Sequence, residues 1–147
     1  MGEDQRIRHI LLADDDADDC FFFGAALKEL AVDATFTTVH DGEKLMKYLH
    51  ENDLPDIVFL DLNMPRKNGL ECLKEIQQNS RLKTLAVIAI STSSSPEAVK
   101  ELFDNGVLNF IRKPNEFSGL KEAIITALSL VTPGGRNPHV NDPIASN

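Results

Sequence analysis

Residues 56–69, Asp56-Ile-Val-Phe-Leu-Asp61-Leu-Asn-Met-Pro65-Arg-Lys-Asn-Gly69, decide how this chain folds. The run from Ile57 to Leu60 is short, continuous and apolar, as expected for a strand covered on both faces. It stops abruptly at Asp61. Pro65 and Gly69 then mark a loop before a helical stretch at 70–78. Asp61 is thereby expected at the carboxyl end of a buried strand, where open α/β sheets place their ligands. Taken alone, an Asp before a loop better suits a turn cap. The residues on either side of this segment decide between the two.

Upstream, residues 7–13 read as a strand that runs into Asp14-Asp15-Asp16-Ala17-Asp18-Asp19. The helix that follows, to about residue 30, carries Phe22, Phe23, Ala26, Leu27 and Leu30 on one stripe, with Phe21 pointing away from it. Residues 34–39 alternate like a strand. Asp41-Gly42 turns the chain into a helix bearing Leu45, Met46, Tyr48 and Leu49, which Pro55 breaks.

Downstream, Leu70, Leu73 and Ile76 face inward on their helix, with Cys72 as filler. Residues 86–90 form another short apolar run, followed by the polar stretch Ser91-Thr92-Ser93-Ser94-Ser95. Ser95-Pro96-Glu97 is a helix start: a capping hydroxyl, a proline in the first turn, and an acid near the positive helix end. That helix is expected to close at Asn105-Gly106 with a left-handed cap. Residues 108–112 make a last strand leading to Lys113-Pro114. A closing helix at 116–131 has Phe117, Leu120, Ile124, Ala127, Leu128 and Val131 spaced for burial.

Five rounds of strand and helix predict an α/β fold, a doubly wound parallel sheet with helices on both faces. Residues 7–131 form the expected domain. Residues 132–147, rich in Pro, Gly and Asn and without periodicity, read as a flexible tail. The length of 147 residues suits one domain, and 42% hydrophobic with 26% charged residues suits a globular protein. A formal net charge of −8 argues against nucleic acid as a partner. No apolar run reaches the ~20 residues a membrane helix needs, and no signal peptide is legible. Cys20 and Cys72 lack any ligand spacing, so reduced thiols in a cytoplasmic protein are expected.

Every strand but the second ends at a residue capable of chemistry: Asp14 and Asp15, then Asp61, Ser91 and Lys113. A parallel sheet brings these ends to one edge. Clustered carboxylates repel one another, and a divalent cation relieves the repulsion. Oxygen ligands without His or Cys suit a hard ion, with Mg²⁺ the natural candidate. A cation together with Lys113 would receive a phosphoryl group, and Asp61 would be the carboxylate nucleophile. Ser91 can donate a hydrogen bond to a phosphoryl oxygen.

These features resemble the bacterial response-regulator receiver domain: the pair Asp14-Asp15, the Asp61-Leu-Asn-Met-Pro65 loop with Gly69, Ser91 after an apolar strand, and Lys113-Pro114. The resemblance covers 7–131 and implies a flavodoxin-like (βα)5 sheet in the order 2-1-3-4-5. It implies Asp61 as phosphoacceptor. Mg²⁺ would be held by Asp15, Asp61 and the Asn63 backbone carbonyl, with Asp14 acting mainly through water. Lys113 would pair with the phosphoryl oxygens. Three positions depart from the common pattern: Ser91 stands where Thr is usual, Thr92 where Ala or Gly is frequent, and Phe110 where a switch tyrosine is frequent. The acidic run and the Ser-rich stretch also resemble stand-alone receivers that accompany phytochrome-like and other hybrid sensor kinases.

The implied function is that of a single-domain response regulator, not an enzyme. It would take its phosphoryl group from a sensor histidine kinase or histidine phosphotransfer protein. Output would come through a downstream protein target or by onward phosphotransfer, since no output segment is legible after residue 131. The first helix and the loop after Lys113 would dock on the donor, with Phe21 central and Cys20 and Pro114 flanking. A haloacid-dehalogenase-like phosphatase leaves Asp61 unexplained. A flavodoxin-like FMN carrier would not place five aspartates in its phosphate loop, and an EF-hand would need Gly at Asp19 and Glu at Ala25. A receiver-fold adaptor acting without phosphorylation is hard to reconcile with a full acceptor set.

Overall fold

The computed structural model describes residues 7–92 and 95–131. The expected tail at 132–147, the polar start at 1–6 and Ser93 and Ser94 of the serine run lie outside the described residues. Five strands alternate with five helices: β1 (His9–Ala13), α1 (Ala17–Glu29), β2 (Thr35–Val39), α2 (Gly42–Glu51), β3 (Ile57–Asp61), α3 (Gly69–Gln78), β4 (Val87–Ser91), α4 (Pro96–Asp104), β5 (Asn109–Arg112) and α5 (Phe117–Ser129). All pairings are parallel, and the strand order is β2-β1-β3-β4-β5, as the resemblance implied.

Strand periodicity divides the core into two layers. Leu11, Ala13, Val58, Leu60, Val87 and Ala89 face one way, onto Leu45 and Leu49 of α2, Leu73 and Ile76 of α3, and Leu102 of α4. Ile10, Leu12, Ile57, Phe59, Ile88 and Ile90 face the other way, onto Phe23, Ala26 and Leu27 of α1 and Ile124 and Ala127 of α5. All five residues of β3 and of β4 are buried. Each such Leu, Ile or Phe contributes roughly 1.5–3 kcal/mol on leaving water, which makes these two strands the fold's main anchor.

Helix ends follow the local chemistry. The Ser95 hydroxyl accepts from the Ala98 amide at 3.1 Å with Pro96 in the first turn, as the sequence predicted. Gly106 has φ +91°, the left-handed conformation expected of the Asn-Gly pair that closes α4. In α3, Asn68 and Glu71 cap one another's backbone amides at 2.9 and 2.8 Å.

Two expectations for α1 are corrected. Phe22, expected on the buried stripe, is 50% exposed. The inward arc is centred on Cys20, Phe23 and Leu27, spaced at three and four residues. Phe22 lies a further 100° round the helix, on its flank. Cys20, expected to flank Phe21 on a docking surface, belongs to that inward arc and is buried in the core with Phe23. Among the described residues, no helix is long and apolar enough to cross a membrane.

Candidate functional site

The carboxyl ends of β1, β3, β4 and β5 meet at one edge of the sheet, and each delivers a polar side chain. Carboxylate oxygens of Asp14, Asp15 and Asp61 lie within 4.8 Å of one another. Asp14, Asp61 and Ser91 are buried, whereas Asp15 is exposed at the mouth. Lys113 Nζ sits 3.2 Å from Asp14 Oδ2 and 3.3 Å from Asp61 Oδ2. Its nearest partner is Asp19 Oδ2, at 2.7 Å.

Backbone hydrogen bonds fix these groups before any ligand arrives. The Lys113 amide donates to Ser91 O at 2.8 Å, and the Leu62 amide to Ile90 O at 3.0 Å, so the sheet ladder continues past the strand ends. The Asn63 amide donates to Asp61 Oδ1 at 3.0 Å, and the Asn63 side-chain amide reaches Ser91 Oγ at 3.4 Å. The Asp14 carbonyl accepts from His40 Nδ1 at 3.1 Å and from Cys20 Sγ at 3.5 Å. A carbonyl only accepts, so His40 carries its proton on Nδ1 here. Gly69 allows α3 to start against the loop after Asp61: a Cβ there would meet Asp61 O and Leu62 Cα, both at 2.7 Å.

The electrostatics follow from four carboxylates facing one ammonium. Two unit charges at this separation repel by roughly 3 kcal/mol at an effective dielectric of about 20, so one lysine does not neutralise the cluster. Burial, with the Asp61 charge beside it, pushes the Asp14 carboxyl up to about 6, against the opposing effects of the Asp16 amide and Lys113. For Lys113, burial works to lower the pKa, but the Asp19 hydrogen bond and the Asp14 and Asp61 charges outweigh it and hold the ammonium well above its usual value. The thiols take no part in this chemistry. Burial pushes Cys20 up to about 11 and Cys72 up to about 12, so both stay protonated.

The structure thus gathers Asp14, Asp15, Asp61, Asn63, Ser91 and Lys113. Thr92 is exposed beside them, and its carbonyl accepts from Arg112 Nη1 at 3.4 Å. Phe110 is not in this cluster; it is partly buried against the α2–α4 core layer. Phe21 is 69% exposed and meets Phe22 edge-on, with ring centroids 5.5 Å apart. Pro114 and Phe22 share the wall of a cavity of about 440 Å³ between α1 and α5, which reaches Lys113. Asp19 is the residue sequence reasoning missed. Its only signal is its position three residues after Asp16, within a run where every acid looks alike.

A family profile described as the response regulator receiver domain matches residues 10–125. Response regulator Rcp1 of Synechocystis is 32% identical over 117 residues, covering 76% of this chain and 80% of that protein. The probable methanogenesis regulatory protein FilR2 of Methanothrix harundinacea is 30% identical over 120 residues, covering 78% and 77%. Among solved structures, the phosphorylated cyanobacterial phytochrome response regulator RcpA superposes with TM-score 0.77 at 30% identity, over 84% of this chain and 93% of its own. The Mn²⁺-bound form of Rcp1 superposes with TM-score 0.74 at 27% identity, over 84% and 91%.

Proposed function

This chain belongs to the response regulator receiver family, and on that premise we propose that it accepts a phosphoryl group on Asp61 in a Mg²⁺-dependent reaction. The observation that carries the reading is the position of Asp61: a buried carboxylate with the Lys113 ammonium at 3.3 Å and two further carboxylates within ion-binding reach. The donor set fits a hard divalent cation, being all oxygen, with one exposed member through which an ion can enter. Asp14, Asp15 and Asp61, with the Asn63 carbonyl, would hold it. When bound, the ion offsets charge on the phosphoryl oxygens.

The chain's own groups do the rest. An Asp61 carboxylate oxygen attacks phosphorus of a phosphohistidine. The P–N bond breaks, its electron pair stays on the imidazole nitrogen, and an aspartyl phosphate remains. Lys113 offers N–H donors to the phosphoryl oxygens, and Ser91 offers its hydroxyl. The receiver unit spans residues 7–131 and works in the cytoplasm. Its donor is a sensor histidine kinase or histidine phosphotransfer protein, and the likeness to RcpA makes a phytochrome-type kinase the first to test. Output follows from a change of conformation read by a protein target, or from onward transfer. Small phosphoesters are not turned over.

Phe21 and Phe22 present an apolar edge beside the site, and we assign docking of the donor to this edge together with Pro114. With Mg²⁺ and acetyl phosphate, intact-mass spectra should show one phosphoryl group on the parent and none on Asp61→Asn. Equal labelling of the two would reject the assignment. Phe21→Ala should leave acetyl phosphate labelling unchanged while slowing transfer from the cognate kinase about ten-fold, a modest hot-spot effect. A parallel fall in both reactions would instead place Phe21 in support of the site.

A further inference from the structure

The ammonium of Lys113 is fully engaged, and its closest partner is not the phosphoacceptor. Three N–H donors face three carboxylates: Asp19 at 2.7 Å, Asp14 at 3.2 Å and Asp61 at 3.3 Å. Both ends of the Asp19–Lys113 pair are set by backbone. Asp16 caps α1, its Oδ1 accepting from the Asp18 amide at 2.8 Å and the Asp19 amide at 3.1 Å, which fixes the turn that carries Asp19. Lys113 leaves β5 held by its amide bond to Ser91 O at 2.8 Å. The lysine side chain is only 19% exposed. Such a pair differs from a loose surface bridge, whose two long chains must be ordered for little gain.

We infer that Asp19 is a positioning residue that competes with Asp61 for the Lys113 ammonium before phosphoryl transfer and thereby restrains the reaction. The inference rests on the phosphoacceptor reading above. The N–H that faces Asp61 turns to the phosphoryl group once it is there, and a second N–H reaches the other phosphoryl oxygens only when the ammonium surrenders Asp14 or Asp19. Asp14 is the costly one to release, because its side chain is 3% exposed and would lose its counter-charge out of reach of water. The Asp19 side chain is 41% exposed and is rehydrated on release. Asp19 is therefore the partner given up, and its carboxylate also repels a dianionic donor as it approaches.

Asp19→Asn keeps the shape and removes the charge. Labelling of Asp61 by acetyl phosphate with Mg²⁺ should be about three- to ten-fold faster than in the parent, the order expected for one unit charge several ångströms away. Asp19→Glu should keep the slower parental rate, and added salt should narrow the gap between parent and Asp19→Asn. A merely structural role would move neither comparison. An Asp19→Asn rate equal to or below that of the parent, in a protein still folded at the assay temperature, would overturn the inference. A readout independent of phosphorylation is a double-mutant cycle on melting temperature with Asp19→Asn and Lys113→Gln. The two changes should be non-additive, and additive shifts would overturn the pairing itself. A parent chain that takes no label sinks the phosphoacceptor reading, whereas a labelled parent with an indifferent Asp19→Asn sinks only the restraint.

Discussion

Asp14 is the residue whose protonation should be felt most widely. Its carboxyl is held up at about 6 by burial and by Asp61, above the value of about 4 that an unfolded chain would show. Between those two pH values the folded chain keeps a proton that the unfolded chain has lost. The stability due to this group is thus complete below about pH 4 and lost as pH rises through about 6. Without metal, melting temperatures at pH 5 and 7.5 should show this loss in the parent and not in Asp14→Asn. Mg²⁺ held at the proposed site would have to displace the same proton, so its stabilising effect should be smaller at pH 5 than at pH 7.5. Equal Mg²⁺ shifts at both pH values would exclude Asp14 from the ion's surroundings. Asp14, Asp61, Ser91 and Lys113 were legible in the sequence because each follows an apolar run. Asp19 was not, since the choice among five neighbouring acids is made by the Asp16 cap and by the reach of Lys113.

At the scale of elements, the alternation of strand and helix was legible throughout, because strand runs are short and either apolar or alternating while helices carry stripes. The flank of α1 was not. Phe21, Phe22 and Phe23 are chemically identical, and only the angle at which α1 meets the sheet and α5 selects Phe23 for the core. The start of α3 is the element boundary that bears most on the site. Gly69 donates its amide to Leu62 O at 3.1 Å, and its missing side chain lets the helix abut the Asp61–Leu62 peptide. Gly69→Ala drives a methyl into backbone rather than into a flexible side-chain tip. The urea midpoint should fall by the equivalent of about 1–3 kcal/mol, the usual cost of overpacking, and labelling of Asp61 should slow as the acceptor loop shifts. An unchanged midpoint and rate would mean that α3 slides away freely and that the close approach has no bearing on Asp61.

Across the whole molecule, the fold class was readable because five strand segments, each followed by a helix, allow few other arrangements. The strand order came from resemblance to a family, since periodicity alone does not say which strands are neighbours. The order matters for the site, because it sets β1 and β4 on either side of β3 and so brings Asp14 and Ser91 to Asp61. One feature of that arrangement extends to the timing of folding. Lys113 bonds to residues 94 and 52 positions earlier, so the cluster is complete only when β1, β3, β4 and β5 are all in register. Closing such long loops is slow and comes late. A folding nucleus built on β1 and β3 alone would lack a finished ion site, and Mg²⁺ would bind the native state without helping the transition state form. The ion should therefore act as a brake on opening. At ten times its dissociation constant, unfolding in urea should slow about ten-fold while the refolding limb stays where it was. A refolding rate that rises with Mg²⁺ would instead mean that the four strand ends assemble before the barrier, and that this chain gathers its charges early on the way to the native state.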